Sequence, residues 1–179
     1  MIFTPTPLPG AFIIDPERFS DDRGFYARLW DQREFESRGL NPRLVQSDVA
    51  FNHKLGTLRG MHFQSAPHAQ AKLVRCTAGA IHDVIIDLRP DSPTFIQHIG
   101  VELTADNHRM LYVPEGFAHG YLTLRDNTEV AYQMSDFYAP LAGGGVRWND
   151  PVFGITWPGE VKIIVPRDNA YPDFVPGRN

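Results

Sequence analysis

Short runs of strand-forming residues follow one another at close intervals from residue 43 to residue 134. They occupy 43–46, 58–64, 72–77, 80–88, 98–103, 110–114, 120–124 and 129–134. Gly56, Gly79, Pro90, Asp106-Asn107, Gly116 and Asp126-Asn127 stand between them. Runs this short are not amphipathic helices, and turn residues at this spacing fold strands back on one another, so an antiparallel sandwich or small barrel is expected. The 15 Gly and 15 Pro supply the turns, and 42% hydrophobic content supplies a core. A chain of 179 residues suits one core better than two, so residues 1–179 are read as one domain. A jelly roll is the economical arrangement. Before it, residues 1–20 hold Pro5, Pro7, Pro9 and Pro16 around Ala11-Phe12-Ile13-Ile14 and read as an extended arm that packs on a neighbouring molecule. Trp30, Phe35 and Leu40 among charged residues suggest a helix over 30–40, ended by Gly39 and Asn41-Pro42. The Gly- and Pro-rich tail from 143 onward is irregular, and its Trp148, Phe153 and Trp157 are expected to cover one barrel edge.

A net charge of −4 denies the chain the basic field that nucleic-acid binding needs. Cys76 is the only cysteine, so no internal disulfide forms, and no Lys or Arg precedes Arg18 to make a secretory n-region. A cytoplasmic location is the expectation. Apolar stretches such as Val84-Ile85-Ile86 fall far short of the roughly 20 residues a membrane helix needs, so no membrane partner is expected.

Residues two apart on a strand share a face. Lys72 therefore sides with Val74 and Cys76, and Ala71 with Leu73 and Arg75; both sets contain apolar residues, which leaves open whether Lys72 is buried. Val130, Tyr132 and Met134 form a clear apolar face, which points Tyr132 into the barrel, where alone it reads as a core aromatic. His62 and Gln64 share a face of a strand that is either polar and exposed or lines a site. Pro114-Glu115-Gly116-Phe117-Ala118-His119 has the P-x-G-x-x-H spacing of the second metal motif of cupin barrels. The first such motif needs H-x-H and a following Glu. Gln64 replaces the second His, and no acidic residue lies between His62 and Asp83, so the ligand set is incomplete and no metal is expected. His53, His68, His82, His98 and His108 are expected at the surface, Cys76 in the core, and Gly143-Gly144-Gly145 in a flexible turn.

Taken in order, Asp22-Arg23-Gly24-Phe25, residues 56–64, Lys72-Leu73-Val74-Arg75, Asp87-Leu88-Arg89 with Ser92-Pro93-Thr94-Phe95, residues 113–120, Trp148-Asn149-Asp150-Pro151 and Ile155-Thr156-Trp157-Pro158 resemble the dTDP-4-dehydrorhamnose 3,5-epimerase family. The resemblance covers nearly the whole chain. It implies a metal-free, cofactor-free cupin jelly roll acting as a homodimer on a nucleotide-linked 4-keto-6-deoxy sugar. It also implies that His62 is the catalytic base, Asp168 its supporting carboxylate, Tyr132 the acid and Lys72 the cation that meets the enolate. Arg23, Phe25, Gln46, Arg59, His119, Tyr138 and Arg167 fall on positions for nucleotide, phosphate or sugar contacts, with Arg23 reaching across the dimer.

Elementary chemistry asks for the same residue types. Removing a proton α to a ketone requires a donor at the developing oxyanion, and inverting a carbon requires a base and an acid on opposite faces. Arg28, Leu141 and Arg167 stand where the family commonly has Glu, Glu and Lys, which touches base or sugar specificity rather than catalysis. A single-carbon epimerase and a non-catalytic sugar-nucleotide-binding barrel are the alternatives.

Overall fold

The structure, a computed structural model, describes residues 1–177. In chain order its elements are β1 (Ile2–Pro5), β2 (Phe12–Asp15), β3 (Arg18–Asp21), β4 (Gly24–Ala27), α1 (Gln32–Glu36), β5 (Gln46–Asn52), β6 (Leu58–Gln64), β7 (Lys72–Ala78), β8 (Ala80–Asp87), β9 (His98–Thr104), β10 (Met110–Val113), β11 (Phe117–Thr123), β12 (Thr128–Met134), β13 (Gly143–Gly145) and α2 (Pro166–Asn169). A six-stranded sheet ordered β1-β2-β10-β7-β12-β5 faces a five-stranded sheet ordered β13-β6-β11-β8-β9, and β3 pairs with β4 as a separate hairpin. The architecture is the all-β jelly-roll barrel expected from the sequence, with two short helices.

Side-chain alternation distributes the apolar residues over three layers. Val74, Cys76, Leu111 and Val130 from one sheet meet Ile81, Ile85, Leu103 and Phe117 from the other inside the barrel. Leu73, on the opposite face of β7, and Ala71, just before the strand, pack with Phe35 of α1. Val84 and Ile86 of β8 face outward under Val146 and Phe153 of the tail. Because β8 is covered on both faces it is mostly apolar; Asp83, on its inner face between Ile81 and Ile85, is fully buried all the same. The same alternation settles Lys72, which shares the inner face with Val74 and Cys76.

Several sequence expectations need correction. The run Phe12-Ile13-Ile14 does not reach for a neighbouring sheet: β2 pairs with β10 of its own chain, and β1, ending in Pro5, pairs beside it as the sheet edge. Proline is tolerated there because the outer side of an edge strand needs no donor. Leu8, Ala11 and Ile14 are fully buried. Deleting residues 1–14 is therefore expected to destabilise the subunit itself, because each large buried aliphatic contributes about 1.5–3 kcal/mol. A truncated chain with an unchanged, cooperative thermal melt would contradict this.

The strand expected at 43–46 instead runs Gln46–Asn52. Val49 and Phe51 point to solvent while Asn52 is buried, a reversal of the usual pattern that hid the strand. The strand expected to begin at residue 120 begins at Phe117, which brings His119 onto the ladder. Only Gln32–Glu36 of the expected 30–40 helix is helical, capped by the Asp31 carboxylate accepting from the Arg33 and Glu34 amides. Hairpin β3–β4 was not foreseen; its turn at Asp22-Arg23 carries Gly24 at φ +128°.

Gly143–Gly145 is a strand paired with Gln64, Phe63 and His62, not a loose turn. A Cβ on Gly144 would stand 2.7 Å from the Phe63 ring, and one on Gly145 would overlap the Tyr171 ring, so these glycines permit close packing. The tail aromatics cover the outer face of the five-stranded sheet rather than an edge, Phe153 and Trp157 packing over Met61 and Ala118. His53 and His68 are exposed as expected, but His82, His98 and His108 are half-buried, His82 against Trp157 with ring centroids 6.1 Å apart and His108 against Phe25.

Candidate active site

A pocket of about 760 Å³ opens between the sheets and is lined by His62, Lys72, His119, Tyr132 and Asp168, together with Gln46, Arg59, Tyr138 and Arg167. His62 enters from β6, opposite His119 on β11. These two strands lie unusually close at Gly60, where φ is +126° and a Cβ would stand 2.5 Å from the Gly120 Cα. The Gly60 amide donates to Asp168 Oδ2 at 3.1 Å. Asp168 arrives on α2, whose approach is fixed by the Leu58 amide donating to the Ile163 carbonyl at 2.8 Å and the Ile163 amide donating to the Gly56 carbonyl at 3.1 Å.

Asp168 Oδ1 lies 2.8 Å from His62 Nε2. An ionised carboxylate only accepts, so Nε2 carries the hydrogen and Nδ1 is left with the lone pair. Burial holds His62 below the ordinary imidazole value; Asp168 opposes that shift, and Lys72 and Arg167 add to it. His62 is thus kept neutral with its tautomer set, which is the state a proton acceptor needs.

Lys72 and Tyr132 come from the other sheet. Lys72 lies opposite Met134 on β12, which makes Tyr132, two residues away on the same face, its diagonal neighbour. Burial pulls the Lys72 ammonium down to about 8, and Asp83 resists. Tyr132 donates its hydroxyl to Tyr121 Oη at 3.1 Å. Tyr121 Oη also accepts from Asn52 Nδ2 at 3.2 Å, and Asn52 Oδ1 accepts from Arg59 Nε at 2.8 Å. Burial first, and then Tyr121, push the Tyr132 phenol upward, so its proton stays on until a strong base appears.

Asp83, Tyr121 and Asn52 are site residues that sequence reasoning missed. Asp83 is fully buried; its Oδ1 lies 2.7 Å from His119 Nε2, while Oδ2 has no partner among the described residues. A carboxylate between Ile81 and Ile85 on an inward face was the available signal. Tyr121 follows His119 by two residues and would have been found with the correct start of β11; Asn52 depended on recognising β5.

Gln46 accepts the Tyr138 amide through Oε1 at 2.9 Å and donates to Asp48 at 2.7 Å, so it ties the exposed Tyr138 to the pocket rim. Gln64 also lines the pocket, its amide held by donation to the His68 carbonyl at 2.7 Å and acceptance from the Ala139 amide at 2.7 Å. Arg23 and Phe25 do not join the others. Both sit on the β3–β4 hairpin, Arg23 paired with Asp21 and Phe25 beneath the Arg18 guanidinium and beside the His108 ring. Of the unusual residues, Arg28 pairs with Asp31 at 2.9 Å and Leu141 is fully exposed. Burial pushes the Cys76 thiol up to about 11, as suits a small core residue.

Known proteins share this arrangement of chain and sheets. The family model for dTDP-4-dehydrorhamnose 3,5-epimerase matches residues 5–175. The dTDP-4-dehydrorhamnose 3,5-epimerase of Salmonella typhimurium is 41% identical over 174 residues, 96% of this chain and 94% of that protein. The crystal structure of the Bacillus anthracis dTDP-4-dehydrorhamnose 3,5-epimerase, with TDP and PPi bound, superposes with a TM-score of 0.92 at 42% identity, over 97% of this chain and 99% of that one. The Legionella pneumophila dTDP-6-deoxy-D-glucose-3,5-epimerase, in complex with dTDP-4-keto-L-rhamnose, superposes with a TM-score of 0.88 at 35% identity, over 95% and 90% of the two chains. A match from end to end, in sequence and in fold, shows that the chain belongs to the dTDP-4-dehydrorhamnose 3,5-epimerase family of isomerases.

Proposed function

We propose that this protein inverts C3 and C5 of a dTDP-linked 4-keto-6-deoxyhexose by removing and returning a proton at each carbon, in deoxysugar synthesis. One observation supports the reading: His62 and Tyr132 project from opposite sheets into a single pocket that also holds the half-buried Lys72. His62 Nδ1 takes the proton beside the ketone, and the electron pair moves onto the C4 oxygen. Lys72 meets that oxygen with its charge in a desolvated setting, where an oriented cation is worth more than in water. Tyr132 returns a proton to the other face, and Tyr121 is placed to donate to the phenolate left behind. Arg59, His119, Tyr138 and Arg167 surround the space left for the sugar and the diphosphate, and Asp83 holds the His119 ring.

A second copy of the chain fits this reading. Hairpin β3–β4 exposes Phe19, Phe25 and Tyr26 next to Arg23, a surface suited to a partner subunit, from which Arg23 would reach the neighbouring pocket in a homodimer. No helix among the described residues is long and apolar enough to cross a membrane, and the cytoplasm is the proposed location.

Tyr132→Phe tests the assignment of faces, because it keeps the ring and deletes the proton donor. In deuterated water with a dTDP-4-keto-6-deoxyhexose, label is expected to enter at one carbon while inversion is impaired. Epimerisation of both carbons at the parent rate would remove Tyr132 from the acid role. Label confined to one carbon in the parent protein would favour a single-carbon epimerase, and no label at all a binding protein.

A further inference from the structure

Arg167 occupies an unexpected place. Its Nε donates at 3.3 Å to Asp168 Oδ1, the same oxygen that accepts from His62, and its Nη2 lies 3.4 Å from His62 Nε2. Since Nε2 carries a hydrogen toward Asp168, the Nη2 contact is not a hydrogen bond. It sets one N–H against another and a fixed positive charge against the ring that must become positive during catalysis. The guanidinium also draws on the carboxylate oxygen that would steady the imidazolium. Yet the Arg167 side chain is 68% exposed, stands on a four-residue helix and lines the pocket that Arg59 enters from β6.

We infer that Arg167 restrains the base in the empty site and is drawn off it by the substrate's diphosphate. This rests on the nucleotide-sugar reading above. A diphosphate offers a planar guanidinium a better, bidentate partner than one shared carboxylate oxygen. Once Arg167 turns to it, Asp168 Oδ1 is left to His62, and the ring becomes a stronger base when there is a proton to take. Arg167 is thus a positioning residue that acts through His62. The charged and titratable groups around His62 are Asp168 and Arg167 on α2, Tyr171 just beyond it, Lys72 on β7, His119 with Asp83 behind it, and Arg59 on its own strand. Arg167 is the one cation on the helix that carries the supporting carboxylate, and it is exposed.

The test is a titration of the His62 ring by NMR in the parent protein, R167Q and R167K, each free and saturated with dTDP. In the free protein His62 is expected to titrate about 0.5 pH unit lower in the parent than in R167Q, the scale of a solvent-screened charge at this distance. R167K, which keeps the charge, should return part of that difference. Adding dTDP should raise His62 more in the parent than in R167Q, where only the field of the diphosphate acts. Equal titration of free parent and R167Q, or an equal rise on adding dTDP, would overturn the inference. If dTDP fails to bind any of the three saturably, the nucleotide reading fails and the release step with it. The free-protein comparison then still decides whether Arg167 holds the base down.

Discussion

His62→Ala is expected to lower turnover and solvent exchange of the α protons together, by roughly 10²–10⁴-fold, the usual contribution of a positioned acid–base group. The two losses are coupled because the proposed role gives His62 Nδ1 the proton, and both observables begin with that removal. The protein should still fold. His62 is a third exposed, and its main partner, Asp168, keeps the Gly60 amide. Substrate affinity should change little, since the groups assigned to the nucleotide remain in place. Initial rates by product analysis, together with deuterium incorporation in the same tubes, would check this. An alanine variant that still exchanges deuterium at the parent rate would show that another group removes the proton.

Lys72→Met should combine a large loss of activity with a gain in stability. Turnover is expected to fall about 10²–10³-fold, as when an oxyanion donor is deleted. The gain follows from the folded-state value of about 8 against an ordinary 10.5. The folded state disfavours the ammonium, so below pH 8, where both states are protonated, the full penalty of roughly 3 kcal/mol is present. Between pH 8 and 10.5 the folded protein sheds this proton before the unfolded chain does, so the parent becomes more stable as pH rises. Above that window both forms are neutral and the penalty is gone. Methionine fills similar space without a charge, so the variant should melt higher at pH 7, and the gap should close toward pH 10. Denaturant titrations at the two pH values measure it directly. A variant less stable than the parent at pH 7 would mean that Lys72 supports the fold rather than straining it.

Much of this was legible from local pattern. β6 was placed to the residue, β7, β8, β9, β10 and β12 to within one, because each has apolar residues at spacing two and a turn signal at its end. The inward direction of Tyr132 followed from its strand alone. The direction of Lys72 did not, because β7 is apolar on both faces and what covers each face is decided by distant residues, Phe35 on one side and Ile81 on the other. β5 was missed because an edge strand exposing Val49 and Phe51 inverts the pattern. The hairpin β3–β4 has its apolar residues exposed, so burial left no mark on it.

The site was legible by type but not by arrangement. His62, Lys72, Tyr132 and Asp168 were named from the resemblance, and the contact between Asp168 and His62 spans 106 positions, beyond any local signal. Asp83 was passed over although its place among isoleucines was visible. Arg167 was read as a substituted contact residue; its approach to the base is a property of the folded α2.

The order in which the chain is made gives that long contact a further meaning. Every strand that builds the pocket walls from β5 to β12 is synthesised before Asp168, which comes 34 positions after Met134. None of those strands carries the carboxylate that fixes the His62 tautomer, which arrives only on α2. The contact with His62 forms only when the segment that crosses Gly56 and Leu58 docks and delivers its carboxylate. The tautomer of His62 is thus set by the last helix of the chain rather than by the strands that wall the pocket in which the ring stands.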